Sequence, residues 1–431
     1  MFQDDLTVIT PFLLYFNYQK NGWSVTMTIF EKAKQPETRQ AFLKSKEKSN
    51  KYRPEEYEAM SAYILSDECT EDIERLEKGD YFLDVPYYRL IAKNFQDKKR
   101  AVYYFPGNQN NLIKLLVFAL RGIERIYSDR LYSFRSDKTG RDLLFEIRRE
   151  KDLGNWYVLK TDVSNYVGSI VPELLLPMLE EVFMPDDPDF YHFLEWMLLR
   201  CKVRDIHDNV IDHCPGGMGG VPLSNLFMNL YLHGMDDYFA PRAAFYSRYS
   251  DDILICAKTY EEVKEYEKKF YEFLDHLHLH TNTEKTEIIC PGEPFDLLGM
   301  TLCGDKIRIS PHSMAKIKRK IRRFADKALV RKNRGDFTPE EAARDLLSRY
   351  NRFFFGTGGA VKILTWARWA FPVITDTSCL SELDHYFQDS LRYVLYGSMK
   401  KKKASIPYET LSELGYKTLM YYYHHQDKID K

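Results

Sequence analysis

The stretch FYSRYSDDILICAK, Phe245 to Lys258, constrains the fold most strongly. Two runs of β-forming residues flank two adjacent aspartates, Asp251 and Asp252, so the chain reverses there and leaves two like charges side by side. At hairpin spacing in a low dielectric that repulsion costs several kcal/mol unless a cation relieves it. A divalent metal is the natural relief. Mg²⁺ takes a few carboxylate oxygens together with substrate phosphates, and two such ions roughly 4 Å apart stabilise both oxygens of an in-line phosphoryl transfer. A third carboxylate comes from NWYVLKTDVSNYV, a buried strand ending at Asp162, where side-chain alternation lets the acid emerge as the strand leaves the core. By itself an Asp-Asp pair between strands reads as a polar turn, and only the order of the surrounding segments reverses that reading.

Those segments alternate between sheet and helix periodicity. YYRLIAKNFQDKKRAVYYF, from Tyr87, reads as a hairpin, and NLIKLLVFALRGIERIYS as a helix after it. A glycine-rich loop, HCPGGMGGVPL, feeds a helix in which Leu226, Phe227, Leu230 and Tyr231 repeat at helical spacing. The aspartate hairpin, the amphipathic helix TYEEVKEYEKKFYEFLDHLHLH, and the strands TEKTEIICP and FDLLGMTL follow. This order predicts an α+β fold with helices on one face of an antiparallel sheet. Residues 1–85 read as a mainly helical extension, 86–310 as the core, and 311–431 as a helical, basic carboxy-terminal region.

At 431 residues, 44% hydrophobic and 15% aromatic, the chain has enough apolar surface for two or three cored domains. No apolar run reaches membrane-spanning length, and the first residues lack a basic-then-apolar leader, so the expectation is a soluble, cytoplasmic protein without a membrane partner. Seven cysteines without CxxC spacing are read as reduced thiols. The net charge of −1 hides a strong local bias: Lys306 to Arg334 carries twelve Lys or Arg against one acid, Asp326. In that segment Ile317, Ile321, Phe324 and Ala328 form an apolar stripe that leaves the cations outward, an arrangement suited to phosphate backbone contact.

Taken together, the motifs resemble the palm of a reverse transcriptase of the bacterial kind found in retrons, group II introns and phage-defence systems. YSDD matches the family's Y-x-D-D hairpin, TDVSNYVGSI its first metal-binding motif, and GGVPLSNLFMNLYL the motif usually reading G-x-P-Q-G-S-P-L-S-x-x-L-x-N-x-Y-L. NTEKTEII and FDLLGM stand where the family carries its lysine motif and primer grip, and LYSFRSDKTGRDLL resembles the segment around Arg135. The resemblance implies a right-hand polymerase fold of fingers, palm and helical thumb, and RNA-directed DNA polymerase activity with two Mg²⁺ ions, Mn²⁺ being a substitute. It implies that Asp162 and Asp251 hold both metals with the Val163 carbonyl assisting, Asp252 being more peripheral. Lys93 and Arg100 would hold the nucleotide triphosphate, and Lys285 would protonate the departing pyrophosphate. Arg135, with Lys316, Lys318, Arg319, Lys320, Arg322 and Arg323 of the thumb-like helix, would contact nucleic acid.

Two departures from the family pattern bear on the nucleotide. Where the family has an aromatic that crowds the sugar 2′-hydroxyl, this chain has Val167, with Tyr166 just before it; either Tyr166 swings in or the gate is loose. Where it has glutamine near the 3′-hydroxyl, the chain has Gly219 next to Gly220, in a loop read as small and flexible. The expected partners are template RNA, taken as a non-coding RNA, nascent DNA and dNTPs, with homo-oligomerisation left open. Defence against phage is the expected role. The rivals are a retron enzyme, a template-independent or protein-primed polymerase, and a non-catalytic RNA-binding scaffold.

Overall fold

The computed structural model describes residues 27–49, 52–92, 99–282, 286–356, 365–397 and 406–428. It divides into two compact units, one of residues 1–143 and 156–290, the other of residues 144–155 and 291–431.

The first unit begins with four helices, α1 (Ile29–Lys34), α2 (Pro36–Ser49), α3 (Pro54–Ile64) and α4 (Asp67–Glu77). Thr28 opens α1 with a capping box closed by Glu31. Ile29, Phe30, Phe42, Ile64 and Leu76 are fully buried in the same apolar cluster as Leu116, Phe190, Leu159 and Ile255, so these helices share the core of the sheet. A hairpin of β1 (Tyr87–Ala92) and β2 (Lys99–Tyr104) follows, then α5 (Gly107–Ala119) and α6 (Gly140–Arg149), of which residues 144–149 belong to the second unit. Next come β3 (Tyr157–Asp162), α7 (Pro172–Phe183), α8 (Pro188–Leu198), and the short hairpin β4 (Lys202–Arg204) and β5 (Val210–Asp212). Helices α9 (Ser224–Tyr231) and α10 (His233–Phe239) lead to β6 (Phe245–Tyr249), β7 (Asp252–Ala257), α11 (Tyr260–His276) and β8 (Glu287–Ile289).

Two four-stranded sheets organise the unit, ordered β2-β1-β4-β5 and β6-β7-β3-β8. The second is antiparallel throughout, and β7 is buried from Ile253 to Ala257 because it has β3 on one side and β6 on the other. The hairpins expected around residues 87–104 and 245–257 are present, as is the helix after the glycine loop.

The second unit holds the three-stranded sheet β11-β10-β9, built from β9 (Phe295–Leu297), β10 (Met300–Cys303) and β11 (Lys306–Ile309). Thr375 clamps β11 from within this unit, its amide donating to the Ile307 carbonyl and its hydroxyl accepting from the Ile307 amide. These strands, expected with the core up to residue 310, thus belong with the carboxy-terminal helices. Ser310 caps the 23-residue helix α12 (Pro311–Asn333), with Pro311 in its first turn. It packs with α13 (Pro339–Phe354) and α15 (Ser378–Tyr396), and α14 (Trp366–Ala370), α16 (Tyr408–Glu413) and α17 (Leu419–His424) complete the unit. Among the described residues no helix is long and apolar enough to cross a membrane.

Seven reduced thiols were expected, and here the structure differs. Cys201 and Cys214 are joined in a disulfide, their Cα atoms 4.0 Å apart. The β4–β5 hairpin causes this: Lys202 pairs with Asp212 and the His213 amide donates to the Cys201 carbonyl, which brings the flanking cysteines together.

Candidate active site

Asp162 ends β3 directly across from Asp252, the first residue of β7. The Val163 amide donates to the Asp251 carbonyl at 3.2 Å. The Asp162–Asp252 pair is therefore of the non-hydrogen-bonded kind, with Cα atoms about 4.5 Å apart and side chains on one face. Asp251 sits beside them in the turn, and all three acids are half-buried. The Asp162 carbonyl accepts from the Asn282 amide and the Ser164 amide donates to the His280 carbonyl, so the strand end is held on its other side too.

Among the described residues no three His, Cys, Asp or Glu side chains are close enough to enclose a cation by themselves. The donor chemistry still fits a hard divalent ion. Two facing carboxylates repel, and Mg²⁺ needs only one or two protein carboxylates, completing its shell with water and substrate phosphate. Lys93 and Lys285 lie outside the described residues. Arg100 is exposed near the start of β2, opposite Ile91.

Beneath the aspartates lies a buried polar network that sequence reasoning missed. Arg248, three residues before Asp251, is fully buried, as is Asp236 on α10. The guanidinium donates through Nε (2.7 Å) and Nη2 (2.5 Å) to the Asp236 carboxylate, and through Nη2 to the Asn229 carbonyl (3.0 Å). The Tyr246 hydroxyl donates to the same carboxylate at 2.6 Å. Burial works against the charge on Arg248, yet Asp236 outweighs it and holds the guanidinium's pKa above its ordinary value. The available signal was a lone arginine inside the apolar run FYSRY, which demands a buried acid as partner.

Tyr166 belongs to this interior. It is buried and its hydroxyl donates to the Met228 carbonyl at 2.5 Å, while burial pushes its pKa up. That bond holds its ring in the interior, while the neighbouring Val167 is half-buried. A β-carbon on Gly219 would stand 3.3 Å from Val167 Cγ1, so the two positions adjoin.

The loop read as flexible is instead tied down. The Gly217 amide donates to the Val167 carbonyl (2.9 Å), the Tyr103 amide to the Gly219 carbonyl (2.8 Å), and Met218 is fully buried. Gly220 has φ +105°, and a β-carbon there would meet Val102 Cγ1 at 2.7 Å and the Tyr103 carbonyl oxygen at 2.8 Å. Glycine is required at that position by a close approach to β2.

Arg135, expected on nucleic acid, is used internally. Its side chain is 3% exposed, pairs through two nitrogens with Asp137 (2.8 and 2.7 Å), and donates to the Ser128 carbonyl (2.8 Å). On α12, Met314, Ile317, Ile321, Ala325 and Ala328 are buried and Phe324 is half-buried. Lys316, Arg319, Lys320 and Arg323 are exposed. Lys318 reaches Glu382 (2.5 Å) and Arg322 reaches Asp326 (3.0 Å), while Lys320 lies 4.0 Å above the Phe353 ring.

Residues 97–302 match the family described as reverse transcriptase (RNA-dependent DNA polymerase). No curated protein matches the chain in sequence. Among solved structures, apo telomerase from Candida tropicalis matches at 11% identity, over 81% of this chain and 65% of that one, with a TM-score of 0.45. Telomerase from Candida albicans with a TWJ fragment of telomeric RNA matches at 12% identity, over 79% and 65%, with a TM-score of 0.41. A Candida tropicalis apo telomerase truncated of its carboxy-terminal domain matches at 14% identity, over 52% and 55%, with a TM-score of 0.40. The chain thus spans 55% to 65% of the length of these three structures. The Tyr-x-Asp-Asp hairpin and the Asp162 that faces it both lie inside the stretch, residues 97–302, that matches the reverse transcriptase family.

Proposed function

We propose that the chain is an active RNA-directed DNA polymerase that depends on Mg²⁺. The observation that carries this is the facing of Asp162 and Asp252 beside Asp251 at the end of a buried sheet, inside the matched domain. Asp162 and Asp251 hold the divalent ions, with Asp252 at their edge; Mn²⁺ substitutes. When bound, the ions neutralise the triphosphate and lower the pKa of the attacking 3′-hydroxyl. The chain's own part is to orient. Val163 fixes the backbone between the two acids, Val167 and the Gly219–Gly220 turn border the sugar, and Arg100 and Lys93 meet the phosphates. Lys316, Lys318, Arg319, Lys320, Arg322 and Arg323 contact a template–primer backbone.

Extension of a DNA primer on an RNA template with dNTPs tests this. Wild-type protein extends the primer with Mg²⁺, and Asp251→Ala abolishes extension while keeping the melting temperature. Extension unaffected by Asp251→Ala would sink the proposal, as would full biological activity of an Asp251→Ala, Asp252→Ala double variant, which favours the scaffold reading.

The resemblance to reverse transcriptases of retrons and phage-defence systems supports a finer reading, a role in bacterial antiphage defence on a non-coding RNA template. Sequencing nucleic acid that co-purifies with the protein before and after phage infection tests it. RNA unrelated to any locus beside the gene, unchanged by infection, would speak against it.

A further inference from the structure

The turn that presents Asp251 is strained and is held from outside its own hairpin. Tyr249 pairs with Asp252, so Ser250 and Asp251 form a two-residue loop. Ser250 has φ +63° while Asp251 is not among the residues with positive φ, the pattern of a type II′ turn. Glycine is the preferred residue at that first central position, because a β-carbon crowds the backbone there. A serine keeps such a conformation only where its surroundings over-determine it.

Ser133 supplies that constraint. The Ser250 amide donates to Ser133 Oγ at 2.8 Å, across 117 positions of sequence. Ser133 is 0% exposed, and its hydroxyl donates a hydrogen bond to Asn229 Oδ1 at 3.4 Å. Asn229, 1% exposed, returns a bond from Nδ2 to the Ser133 carbonyl at 3.2 Å. The approach to Ser133 is itself locked against β6, because the Tyr132 amide donates to the Arg248 carbonyl (2.9 Å) and the Arg248 amide to the Arg130 carbonyl (3.0 Å). Residues 130–133, α9 and the β6–β7 turn therefore converge on one backbone N–H, through a hydroxyl that accepts and donates at once.

We propose that Ser133 is a positioning residue, which fixes the carboxylate of Asp251 by holding the Ser250 amide in the turn. The proposal rests on the reading of Asp251 as a metal-binding carboxylate. Alanine at 133 can neither accept from Ser250 nor donate to Asn229, whereas threonine can do both. Glycine at 250 adopts the turn unaided and dispenses with the hydrogen bond.

The test uses the full chain with Ser133→Ala, Ser133→Thr, Ser250→Gly and the Ser133→Ala, Ser250→Gly double variant. It measures steady-state primer extension, Mn²⁺ affinity by electron paramagnetic resonance, and exchange of the Ser250 amide. Ser133→Ala is expected to lower kcat about tenfold, the size of one lost hydrogen bond that leaves a donor unmet, with KM for dNTP nearly unchanged. It is also expected to weaken Mn²⁺ binding and to unprotect the Ser250 amide. Ser133→Thr retains all three properties, and adding Ser250→Gly to Ser133→Ala restores kcat and Mn²⁺ affinity. Failure of the glycine to restore either, or a protected Ser250 amide in Ser133→Ala, overturns the proposal. Absence of any Asp251-dependent extension in the wild type overturns the reading of the site instead, while amide exchange still decides whether Ser133 holds the turn.

Discussion

Replacing Arg248 by methionine removes a cation from beneath the aspartate turn without opening a large cavity. Arg248 and Asp236 are both 0% exposed, so the Asp236 carboxylate left behind keeps one partner, the Tyr246 hydroxyl, and gains no water. Breaking a buried pair on one side costs about 3–5 kcal/mol. The Asn229 carbonyl also loses its 3.0 Å donor, worth about 1 kcal/mol more. At about 2–4 °C per kcal/mol for a unit of this size, the melting temperature of the first unit should fall by roughly 10–20 °C. The pair is not needed for stability as such. Arg248→Met combined with Asp236→Leu leaves no buried charge, only an unmet tyrosine hydroxyl, and should cost no more than about 2 kcal/mol. Scanning calorimetry of the wild type, both single variants and the double variant closes a double-mutant cycle. Additive effects, or an Arg248→Met cost below about 1 kcal/mol, would refute the claim that this network is a coupled buried ion pair.

Two further outcomes follow from particular side chains. With Tyr166 committed to the Met228 carbonyl, the proposed placing of Val167 at the sugar predicts that the wild type accepts ribonucleotides and that Val167→Phe raises the dNTP over rNTP preference about tenfold in competitive extension; stringent dNTP selection in both proteins would exclude this. Asp187 accepts from the Ile29 amide (2.6 Å) and the Phe190 amide (3.3 Å), and burial pushes its carboxyl up from 3.8 to about 6. A folded pKa above the unfolded one means stability that is present in full below pH 3.8 and lost as the pH rises through about 6. Relative to Asp187→Asn, the wild type should therefore lose about 2 kcal/mol between pH 4 and pH 7 in thermal melts, and a constant difference across that range would contradict the assignment.

The aspartate hairpin was legible because its information is local: β-forming runs, a two-residue reversal and a strand-final acid need no knowledge of what packs where. The same holds for the apolar stripe of α12, whose buried positions follow helical spacing. What stayed hidden depends on tertiary placement. Nothing in LYSFR distinguishes an arginine reaching for a phosphate from one folded back on Asp137, and Arg135 is the second kind. Four glycines around Met218 read as freedom, but Val167, Ala101 and Tyr103 crowd them from two other segments, which turns small side chains into close backbone packing. The pairing of Arg248 with Asp236, and of Ser133 with Ser250, joins segments that carry no mark of each other. The strands at 295–309 look like a continuation of the core sheet by pattern alone, yet they pair with one another in a separate sheet, and Ile307 bonds to residue 375.

The Cys201–Cys214 bond closes a covalent ring around the β4–β5 hairpin, and that ring ends one residue before the loop from Pro215 to Gly220. Both cysteines are exposed, so the ring opens to any thiol reductant in the buffer. Opening it releases a segment of 13 positions whose closure entropy is about 3 kcal/mol. That entropy returns at the root of the loop which borders Val167. Protein kept with a reductant and protein kept without one are therefore two covalent species that differ next to the same glycines, and a turnover number for this chain has a definite meaning only alongside its thiol count.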